Sequence, residues 1–529
     1  MSSRCLDIVN AHVVTLDESW TEISDGFLRI RHGVIVALGP MSEYSVGEER
    51  VEDARGSFVF PGLINTHTHS FQALTRGIGE GLGVWDWFSQ AIDKVVGHLT
   101  PEDARLAGQV TGLEAVMCGA TTVLDYNYPH PTPGMAEETI EGMRSTGVRT
   151  VLARGILDTG TVHADIIHST KDELSACRSL AAAFHKSDDD LVRVWFAPYT
   201  IFSTSPQALR ASIELASEFD SGVTIHATTP STLEAARELY DSSDIAFEAS
   251  IDFLSPRTML VHCTHPEDVD LNLIAASGAS VSHNPVSNAY LGEGIAPILD
   301  MRRLKINVCL GSDGPASNNN QDMLQVMKVT GLLQKLTHKD PSVLMARDIV
   351  WMATVGGAQA LGWEHVIGSL EVGKDADLLM LNPWLPNSVS FSDPYATLVF
   401  SATQENIHLV CVKGQVVMRN RIPSLLDMSD TLEHAQEAAR GLAHRAGLAD
   451  SQFLDCEFES RDIVDVVELE DDPIHTRFLQ LRDLLACFRD GPSEEPGGTP
   501  LVKIRWQARK SFPVTGDTSV HLIHVPPED

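Results

Sequence analysis

Residues 59–69 read Val59-Phe60-Pro61-Gly62-Leu63-Ile64-Asn65-Thr66-His67-Thr68-His69, an apolar run that ends in two histidines. Because side chains alternate between the two faces of a β-strand, the spacing of His67 and His69 predicts that both imidazoles leave the strand end on the same side. Taken alone, such a pair is more often two polar residues that close a core strand. However, His226, His262 and Asp313 also end apolar, β-branched runs, and this repetition predicts a metal site shared by several strands.

Strand-like and helix-like segments alternate from residue 58 onward. Eight strand-like runs, with helical patterns between most of them, are typical of a (β/α)8 TIM-type barrel of the α/β class. Their nearly continuous apolar character fits parallel strands that are covered on both faces. An open, doubly wound sheet is the alternative; the barrel is favoured because an open sheet would spread several of the candidate ligands apart. The predicted strands are 59–69, 121–127, 148–157, 192–200, 222–228, 258–265, 279–284 and 307–313.

Shorter strands flank this alternation on both sides. Residues 1–57 and 366–425 both have strand character, and we expect them to pair into one small β-sandwich domain beside a barrel formed by residues 58–365, because barrel termini lie close together. Residues 426–529 form an accessory C-terminal extension. In it the sequence predicts helices at 430–444 and 473–488, a linker at 491–498 and a strand at 502–509.

The composition is that of a globular protein with an acidic surface. The 529 residues are 43% hydrophobic and 21% charged, which allows a large core and more than one average domain. A formal net charge of -33 repels phosphate backbones and anionic lipids, so we expect no nucleic acid and no membrane partner. The sequence contains no apolar run of about 18 residues, so we expect no membrane-spanning segment, and we expect no signal peptide. The 8 scattered cysteines, without a C-x-x-C motif, predict reduced thiols, a cytoplasmic location and no cysteine zinc site.

Five candidate site residues end predicted barrel strands. By position, His67 and His69 end the first strand, His226 the fifth, His262 the sixth and Asp313 the eighth. Barrel enzymes carry their catalytic groups at these ends. Imidazole and carboxylate ligands suit zinc, with iron(II) and manganese as alternatives. Each histidine alone has an ordinary structural explanation, but the coincidence of all five predicts one metal centre.

Several longer motifs occur in an order and at spacings that match a known family. The motifs are Pro61-Gly62-Leu63-Ile64-Asn65-Thr66-His67-Thr68-His69, Leu74-Thr75-Arg76-Gly77, Ser282-His283-Asn284-Pro285-Val286-Ser287-Asn288, Gly294-Ile295-Ala296-Pro297, Leu310-Gly311-Ser312-Asp313-Gly314-Pro315-Ala316-Ser317-Asn318-Asn319 and Gly373-Lys374-Asp375-Ala376-Asp377-Leu378. On these motifs the chain resembles the amidohydrolase superfamily over about residues 5–420. It is most similar to the branch of adenosylhomocysteine and methylthioadenosine deaminases, guanine and 8-oxoguanine deaminases and triazine hydrolases.

The resemblance implies a metal-dependent hydrolase that acts on carbon–nitrogen bonds other than peptide bonds, in a small N-heterocyclic or amide substrate. It implies one divalent metal ion, most readily zinc, held by His67, His69, His226 and Asp313, and attack by a metal-bound hydroxide. In this scheme Asp313 also accepts the proton of the water, and His262 contacts the water or the substrate. The predicted fourth strand lacks the lysine that bridges two metals in binuclear branches, which supports a single metal.

Five residues in the loops after the predicted strands are candidate substrate contacts. Arg76 would meet an anionic or carbonyl group, with a structural salt bridge as the alternative. Trp85 would form a wall for an aromatic ring or simply pack. The full set is Gln72, Arg76, Trp85, Thr229 and Asn288. The expected partner is a small-molecule substrate, and a homo-oligomer is compatible with the sequence.

Thr229 departs from the family pattern. The related deaminases carry a glutamate three residues after the histidine of the fifth strand, and that position here is Thr229. A hydroxyl group cannot transfer a proton as a carboxyl group does at neutral pH, so the sequence favours an amide or lactam over a purine amine. The alternative is that another carboxylate, such as Glu293 in the loop after the seventh strand, replaces it. Glu234 follows Pro230 and is predicted to lie on a helix surface.

Two other functions stay open at this stage. One is a dehalogenase-like hydrolytic displacement on an aromatic heterocycle, and the other is a catalytically inactive barrel that serves as a binding protein. The intact set of candidate ligands argues against the inactive barrel. A cytidine-deaminase type of zinc site is excluded, because no H-x-E followed by P-C-x-x-C occurs.

Overall fold

The computed structural model describes residues 4–47 and 50–448. The chain divides into two units, residues 1–457 and 458–529. The second unit lies outside the described residues. The helix predicted at 473–488, the linker at 491–498 and the strand at 502–509 therefore lie outside them as well.

The described residues form the following strands and helices. The strands are β1 Leu6–Val14, β2 Glu22–Arg31, β3 Val34–Pro40, β4 Val51–Asp53, β5 Phe58–Pro61, β6 Leu63–Thr68, β7 Ala120–Asn127, β8 Arg149–Ile156, β9 Val192–Pro198, β10 Val223–Ala227, β11 Thr258–His262, β12 Ser280–His283, β13 Val308–Leu310, β14 Leu378–Leu381, β15 Ile407–Val412, β16 Gln415–Arg419 and β17 Ile422–Pro423. The helices are α1 Val84–Trp87, α2 Asp93–Val95, α3 Pro101–Met117, α4 Met135–Ser145, α5 Thr170–Phe184, α6 Ser187–Asp190, α7 Pro206–Glu218, α8 Pro230–Tyr240, α9 Asp244–Ser250, α10 Asp268–Ser277, α11 Pro285–Tyr290, α12 Ile298–Arg303, α13 Met323–His338, α14 Ala346–Met352, α15 Val355–Ala360, α16 Pro394–Ala396 and α17 Met428–Arg445.

Strands β6 to β13 form the predicted barrel. They are parallel and lie in sequence order across one eight-stranded sheet, with helices between successive strands. The two end strands approach each other: the Thr66 hydroxyl donates a hydrogen bond to the Leu310 carbonyl (2.9 Å), and the Asp313 amide donates to the His67 carbonyl (2.9 Å). The (β/α)8 prediction is therefore confirmed, and the strand ends that carry the candidate ligands meet at one end of the barrel.

The run at residues 59–69 is two strands rather than the single strand predicted. Strand β5 belongs to the flanking sheet, where it pairs with β1 and β14, whereas β6 belongs to the barrel. Gly62 separates them, and its amide donates to the Asp377 carbonyl (3.0 Å). A Cβ atom at Gly62 would lie 2.2 Å from the Thr121 side chain. The chain can pass between the two sheets here because this position carries no side chain.

Both flanks of the barrel contribute to one mostly antiparallel sheet, so the predicted pairing of the two flanks is confirmed. Within the described residues its strands are β1–β5 and β14–β17. Arg149, fully buried at the start of β8, ties this sheet to the barrel. Its guanidinium donates to the carboxylates of Asp375 (3.0 Å) and Asp377 (3.0 and 3.1 Å). These two aspartates belong to the Gly373–Leu378 motif, so the motif has a structural reason: it neutralises a buried cation.

Two further features of the described part concern its helices and its cysteines. No helix within residues 4–47 and 50–448 is long and apolar enough to span a membrane. Five of the cysteines in these ranges are buried and unpaired, and a sixth is half-buried and unpaired.

The passage at Gly62 can be tested by mutation. We expect Gly62→Ala to lower the free energy of unfolding by about 1–3 kcal/mol, because the added methyl group overlaps Thr121 and neither sheet can move away freely. Gly83→Ala is the matched control: Gly83 is exposed, nothing lies within 4 Å of the added Cβ atom, and stability should change by less than about 0.5 kcal/mol. Chemical denaturation of both variants measures the difference. Equal stabilities would contradict the steric argument.

Candidate active site

The five predicted strand-end residues converge at the mouth of the barrel. His67 lies in β6 and His69 directly after it, His226 lies in β10, His262 ends β11, and Asp313 follows β13 by three residues. All five side chains are buried. The ring centres of His67 and His226 are 5.2 Å apart, and those of His226 and His262 are 5.5 Å apart.

Their donor atoms are close enough to share one metal ion. His67, His69 and His226 form one group whose ligand atoms all lie within 4.8 Å of one another, and His67, His262 and Asp313 form a second. The Asp313 Oδ1 atom is 3.5 Å from Nε2 of both His67 and His69. Both ring nitrogens of His67 are buried without a hydrogen-bond partner. A buried imidazole in this state is costly unless something binds it, so the group fits a metal ion.

Neighbouring strands orient two of these imidazoles. The Nδ1 atom of His69 is 2.8 Å from the Tyr126 carbonyl, and that of His226 is 2.8 Å from the Tyr199 carbonyl. A carbonyl only accepts hydrogen bonds, so each Nδ1 carries the hydrogen and each Nε2 keeps its lone pair. This arrangement is typical of histidines that bind a metal through Nε2.

The protonation states also suit a cation. Burial lowers the pKa of His67 to about 4 and that of His69 to about 3, and it lowers the pKa of His226 well below its usual range. Burial opposes ionisation of Asp313, but the contact with His67 and the nearby His262 and His69 rings outweigh it and hold its pKa well below the usual range. At neutral pH the site therefore offers neutral imidazoles and one carboxylate, the forms that bind a divalent metal.

The backbone is strained at two of the five residues. His262 has φ of 76° and Asp313 has φ of 62°, in the left-handed region that residues other than glycine rarely occupy. Such a conformation costs on the order of 1–3 kcal/mol and persists only where the surroundings fix it. Here the hydrogen bond from the Asp313 amide to the His67 carbonyl helps to hold it. Strain of this kind clusters at active sites, which supports a functional role for both residues.

A cleft of about 50 Å³, partly open to solvent, adjoins this group. Its lining includes His69, His226, His262 and Asp313. Its aromatic lining residues are Trp87, Phe88, Tyr128, Tyr199 and Phe202, and its uncharged polar ones include Gln72, Thr200, Thr229, Ser231, Thr232 and Ser317. Aromatic walls with a few polar groups suit a flat heterocyclic substrate.

Two of the predicted substrate contacts, Gln72 and Thr229, line the cleft. The Gln72 amide oxygen accepts a hydrogen bond from the Ala316 amide (3.1 Å), while its buried Nε2 has no partner. Thr229 begins helix α8, where its hydroxyl accepts a hydrogen bond from the Thr232 amide (3.4 Å). Gln72 thus has a free donor for a ligand, and the Thr229 hydroxyl is partly used by the helix.

The other three predicted contacts do not line the cleft. Arg76 forms a salt bridge with Glu114 (2.7 Å), which was the structural alternative for this residue. Trp85 is 42% exposed and packs on Phe88 and Phe202. Asn288 lies behind His262, whose Nδ1 donates to the Asn288 Oδ1 atom (2.8 Å). We therefore assign no direct substrate contact to Arg76, Trp85 or Asn288.

Several residues of the cleft were not predicted from the sequence. Tyr199 is held by His163, whose Nε2 is 3.0 Å from the Tyr199 hydroxyl and whose Nδ1 donates to Asp93. His163 lies in a loop and is buried. No local sequence pattern predicts the contacts among Asp93, His163 and Tyr199, because three separate segments supply these residues.

Glu293 also lines the cleft, and it is 6% exposed. Burial raises its pKa; nearby His262 opposes that shift and Asp313 adds to it. The sequence offered Glu293 as a substitute carboxylate, and the signal was its position in the loop after the seventh barrel strand.

Comparison with known proteins gives consistent matches. The model of the family described as "Amidohydrolase family" matches residues 58–417. The chain is 31% identical to a 5'-deoxyadenosine deaminase of Methanosarcina mazei, over 83% of this chain and 98% of that protein. It is 32% identical to a 5-methylthioadenosine/S-adenosylhomocysteine deaminase of Desulforudis audaxviator, over 79% of this chain and 95% of that protein. Among solved structures, an atrazine chlorohydrolase of Arthrobacter aurescens complexed with zinc aligns with a TM-score of 0.78 and 25% identity, over 82% of this chain and 100% of that one.

The donor group makes a direct prediction about metal content. We expect one divalent metal ion per chain. Loss of an outer contact weakens metal binding by roughly 10–100-fold, and we expect His67→Ala and Asp313→Ala, which remove ligands, to weaken it by more. His365→Ala is the control, since the His365 side chain is 93% exposed and distant in sequence from the strand ends. Elemental analysis after dialysis against a chelator measures the content. Wild-type protein without stoichiometric metal would contradict the assignment.

Proposed function

The chain belongs to the amidohydrolase family, and from that premise we propose that it is a metal-dependent deaminase of a 6-aminopurine nucleoside or a closely related heterocyclic amine. The observation that carries the proposal is a buried His/Asp donor group beneath an aromatic cleft. The two relatives at 31–32% identity, which are named for the deamination of adenosine derivatives, support the choice of substrate class.

In this proposal His67, His69, His226 and Asp313 hold the metal ion. Zinc is favoured because the ligand set is rich in nitrogen and because the chlorohydrolase neighbour was solved with zinc. When bound, a divalent metal supplies a Lewis acid that lowers the pKa of water at the site. Asp313, ionised and 3.5 Å from two imidazoles, is the base that accepts the proton of the attacking water and later delivers it to the departing amine.

His262 orients the attacking water. Because its Nδ1 donates to Asn288, its Nε2 faces the site and lies 3.9 Å from the Asp313 Oδ2 atom. In the same proposal the aromatic residues of the cleft stack on the heterocycle, and the free Gln72 Nε2 donates a hydrogen bond to a ring or sugar acceptor. The reaction adds water to the ring carbon, breaks the exocyclic carbon–nitrogen bond and releases ammonia.

Amide hydrolysis was the substrate preference drawn from Thr229. Its hydroxyl contributes to the cap of α8 and cannot transfer protons as a carboxyl group does. That argument against a purine amine weakens because a second carboxylate, Glu293, lines the same cleft. Deamination is therefore favoured here, with amide hydrolysis as the outcome that would reverse the choice.

A second candidate function is hydrolytic displacement of a different leaving group from an aromatic heterocycle. The structural likeness to the atrazine chlorohydrolase supports it. It uses the same base and the same metal group, so only the substrate separates the two candidates.

We propose a cytoplasmic location for the enzyme. The buried cysteines of the described part, Cys118, Cys177, Cys263, Cys309 and Cys411, are unpaired, as in proteins of reducing compartments.

The substrate class is tested by an ammonia-release assay on purified, metal-loaded protein. We expect turnover of at least one 6-aminopurine nucleoside, with its 6-oxo product detected by chromatography. Lactams and chlorinated triazines are the comparison substrates. Turnover of lactams alone would favour the amide alternative, and chloride release from a triazine without nucleoside turnover would favour displacement.

His262 and Asp313 should differ in the way their loss affects the enzyme. Asp313→Ala should lose metal and turnover together, because Asp313 is both ligand and base. His262→Ala should keep its metal while kcat falls by roughly 10²–10⁴-fold, the usual contribution of a group that assists proton transfer. Metal analysis and kinetics on the same preparations separate the roles. Equal metal loss in both variants would make His262 a ligand instead.

Asn288 should act through His262. Asn288→Ala removes the acceptor that fixes the His262 ring, and we expect kcat to fall by roughly 10–100-fold with metal retained, as for outer contacts that orient site histidines. Asn272→Ala on the exposed surface of α10 is the matched control and should leave kcat unchanged. A larger rise in KM than fall in kcat would instead indicate that Asn288 binds substrate.

A further inference from the structure

We propose that Glu293 supplies the carboxylate that position 229 lacks: it contacts the bound heterocycle and carries a proton to and from a ring nitrogen. This inference rests on the proposed function and identifies the residue that completes it. It adds a residue to the metal ligands and the base Asp313, because the roles assigned to those residues do not include proton transfer to a ring nitrogen.

The surroundings of Glu293 leave its carboxyl group without a structural task. Its Oε1 atom is buried and has no hydrogen-bond partner in the described part of the chain. A buried carboxyl oxygen without a partner costs on the order of 1–3 kcal/mol, so a ligand that binds it recovers a real penalty. No lysine or arginine is among the residues that line the cleft, so nothing in the lining pairs with Glu293 as a salt bridge.

Glu293 also has the chemistry and the location that the proposed proton transfer requires. The carboxyl groups that line the cleft are those of Asp313 and Glu293. Asp313 is committed to the metal group, where it lies 3.5 Å from Nε2 of His67 and of His69. Glu293 is therefore the carboxyl group of this lining that is free to meet the substrate.

The loop that carries Glu293 is held in a defined conformation. The Glu293 amide donates to the Asn288 carbonyl (2.8 Å), and the side chain of the same Asn288 accepts the hydrogen bond from His262. Gly292 and Gly294 flank Glu293 with φ of 71° and 100°. A Cβ atom at Gly294 would lie 2.6 Å from the His265 ring. Glu293 and His262 are thus tied to one residue, which fixes the carboxyl group relative to the site.

The proposed steps balance in atoms and protons. Water adds its oxygen to the ring carbon while one of its protons goes to Asp313 and the Glu293 carboxyl proton goes to the adjacent ring nitrogen. Asp313 then delivers its proton to the exocyclic amine, the carbon–nitrogen bond breaks and ammonia leaves. The remaining proton of the new hydroxyl group returns to Glu293 as the ring carbonyl forms. One water is consumed, one ammonia is released, and both carboxyl groups return to their starting states.

The test compares Glu293→Gln with wild type and with Glu234→Gln. The glutamine keeps the size and hydrogen-bonding ability of Glu293 but cannot transfer a proton. Glu234 lies exposed on α8 and serves as the matched control. On a 6-aminopurine nucleoside we expect Glu293→Gln to lower kcat by roughly 10²–10⁴-fold with a much smaller change in KM, since a proton-transfer group contributes about that much. Metal content and melting temperature should match wild type, and Glu234→Gln should match it in every measurement.

Each alternative result has a defined meaning. A kcat within threefold of wild type in Glu293→Gln overturns the role, and so does a loss of activity that follows a loss of metal. If Glu293→Gln does not fold, Glu293→Ala is measured instead, and an unchanged kcat overturns the role. If wild type turns over lactams but no nucleoside, the proposed substrate fails, and proton transfer from Glu293 to a ring nitrogen fails with it. This result differs from an active nucleoside deaminase whose Glu293→Gln variant keeps its kcat, in which the role of Glu293 alone fails.

Discussion

The site depends on the contact that closes the barrel. The Asp313 amide donates to the His67 carbonyl, and the Thr66 hydroxyl donates to the Leu310 carbonyl, so the first and last strands meet. These contacts bring a carboxylate to 3.5 Å from two imidazoles that lie more than 240 positions earlier in the chain. In an open sheet the same residues would stand at opposite edges. The convergence of the candidate metal ligands and the closure of the barrel are therefore two results of one set of contacts.

The register of the barrel strands also determines how two of the imidazoles are oriented. The carbonyl that orients His69 belongs to Tyr126 in β7, and the carbonyl that orients His226 belongs to Tyr199, just after β9. A shift of one residue in either strand would remove the acceptor and release the ring. Behind the cleft, Asp93 and His163 hold Tyr199 from the other side. The chemistry of the site is thus fixed by backbone groups as much as by the residues that face the substrate.

Much of the fold and of the candidate site could be predicted from the sequence, because local patterns determine many of the strands, helices and strand ends. Helix α3, for example, begins at a local signal in the sequence, since Thr100 and Asp103 form a reciprocal cap around Pro101. The prediction of a single strand at residues 59–69 was wrong, because an apolar pattern does not show which of two sheets a residue joins. Residues brought together by loops escaped prediction: His163 and Tyr199, which lie 36 positions apart in the chain, meet through their side chains. Periodicity carries no information about such contacts.

The central claim is that His67, His69, His226 and Asp313 hold one metal ion at the mouth of the barrel. Anomalous diffraction at the zinc edge, from crystals of the zinc-loaded protein, tests it most directly. The account predicts a single strong peak about 2.0–2.2 Å from a nitrogen of each of these histidines and from an oxygen of Asp313. A peak bound by His67, His262 and Asp313 but not by His226, or no peak at this end of the barrel, would contradict it.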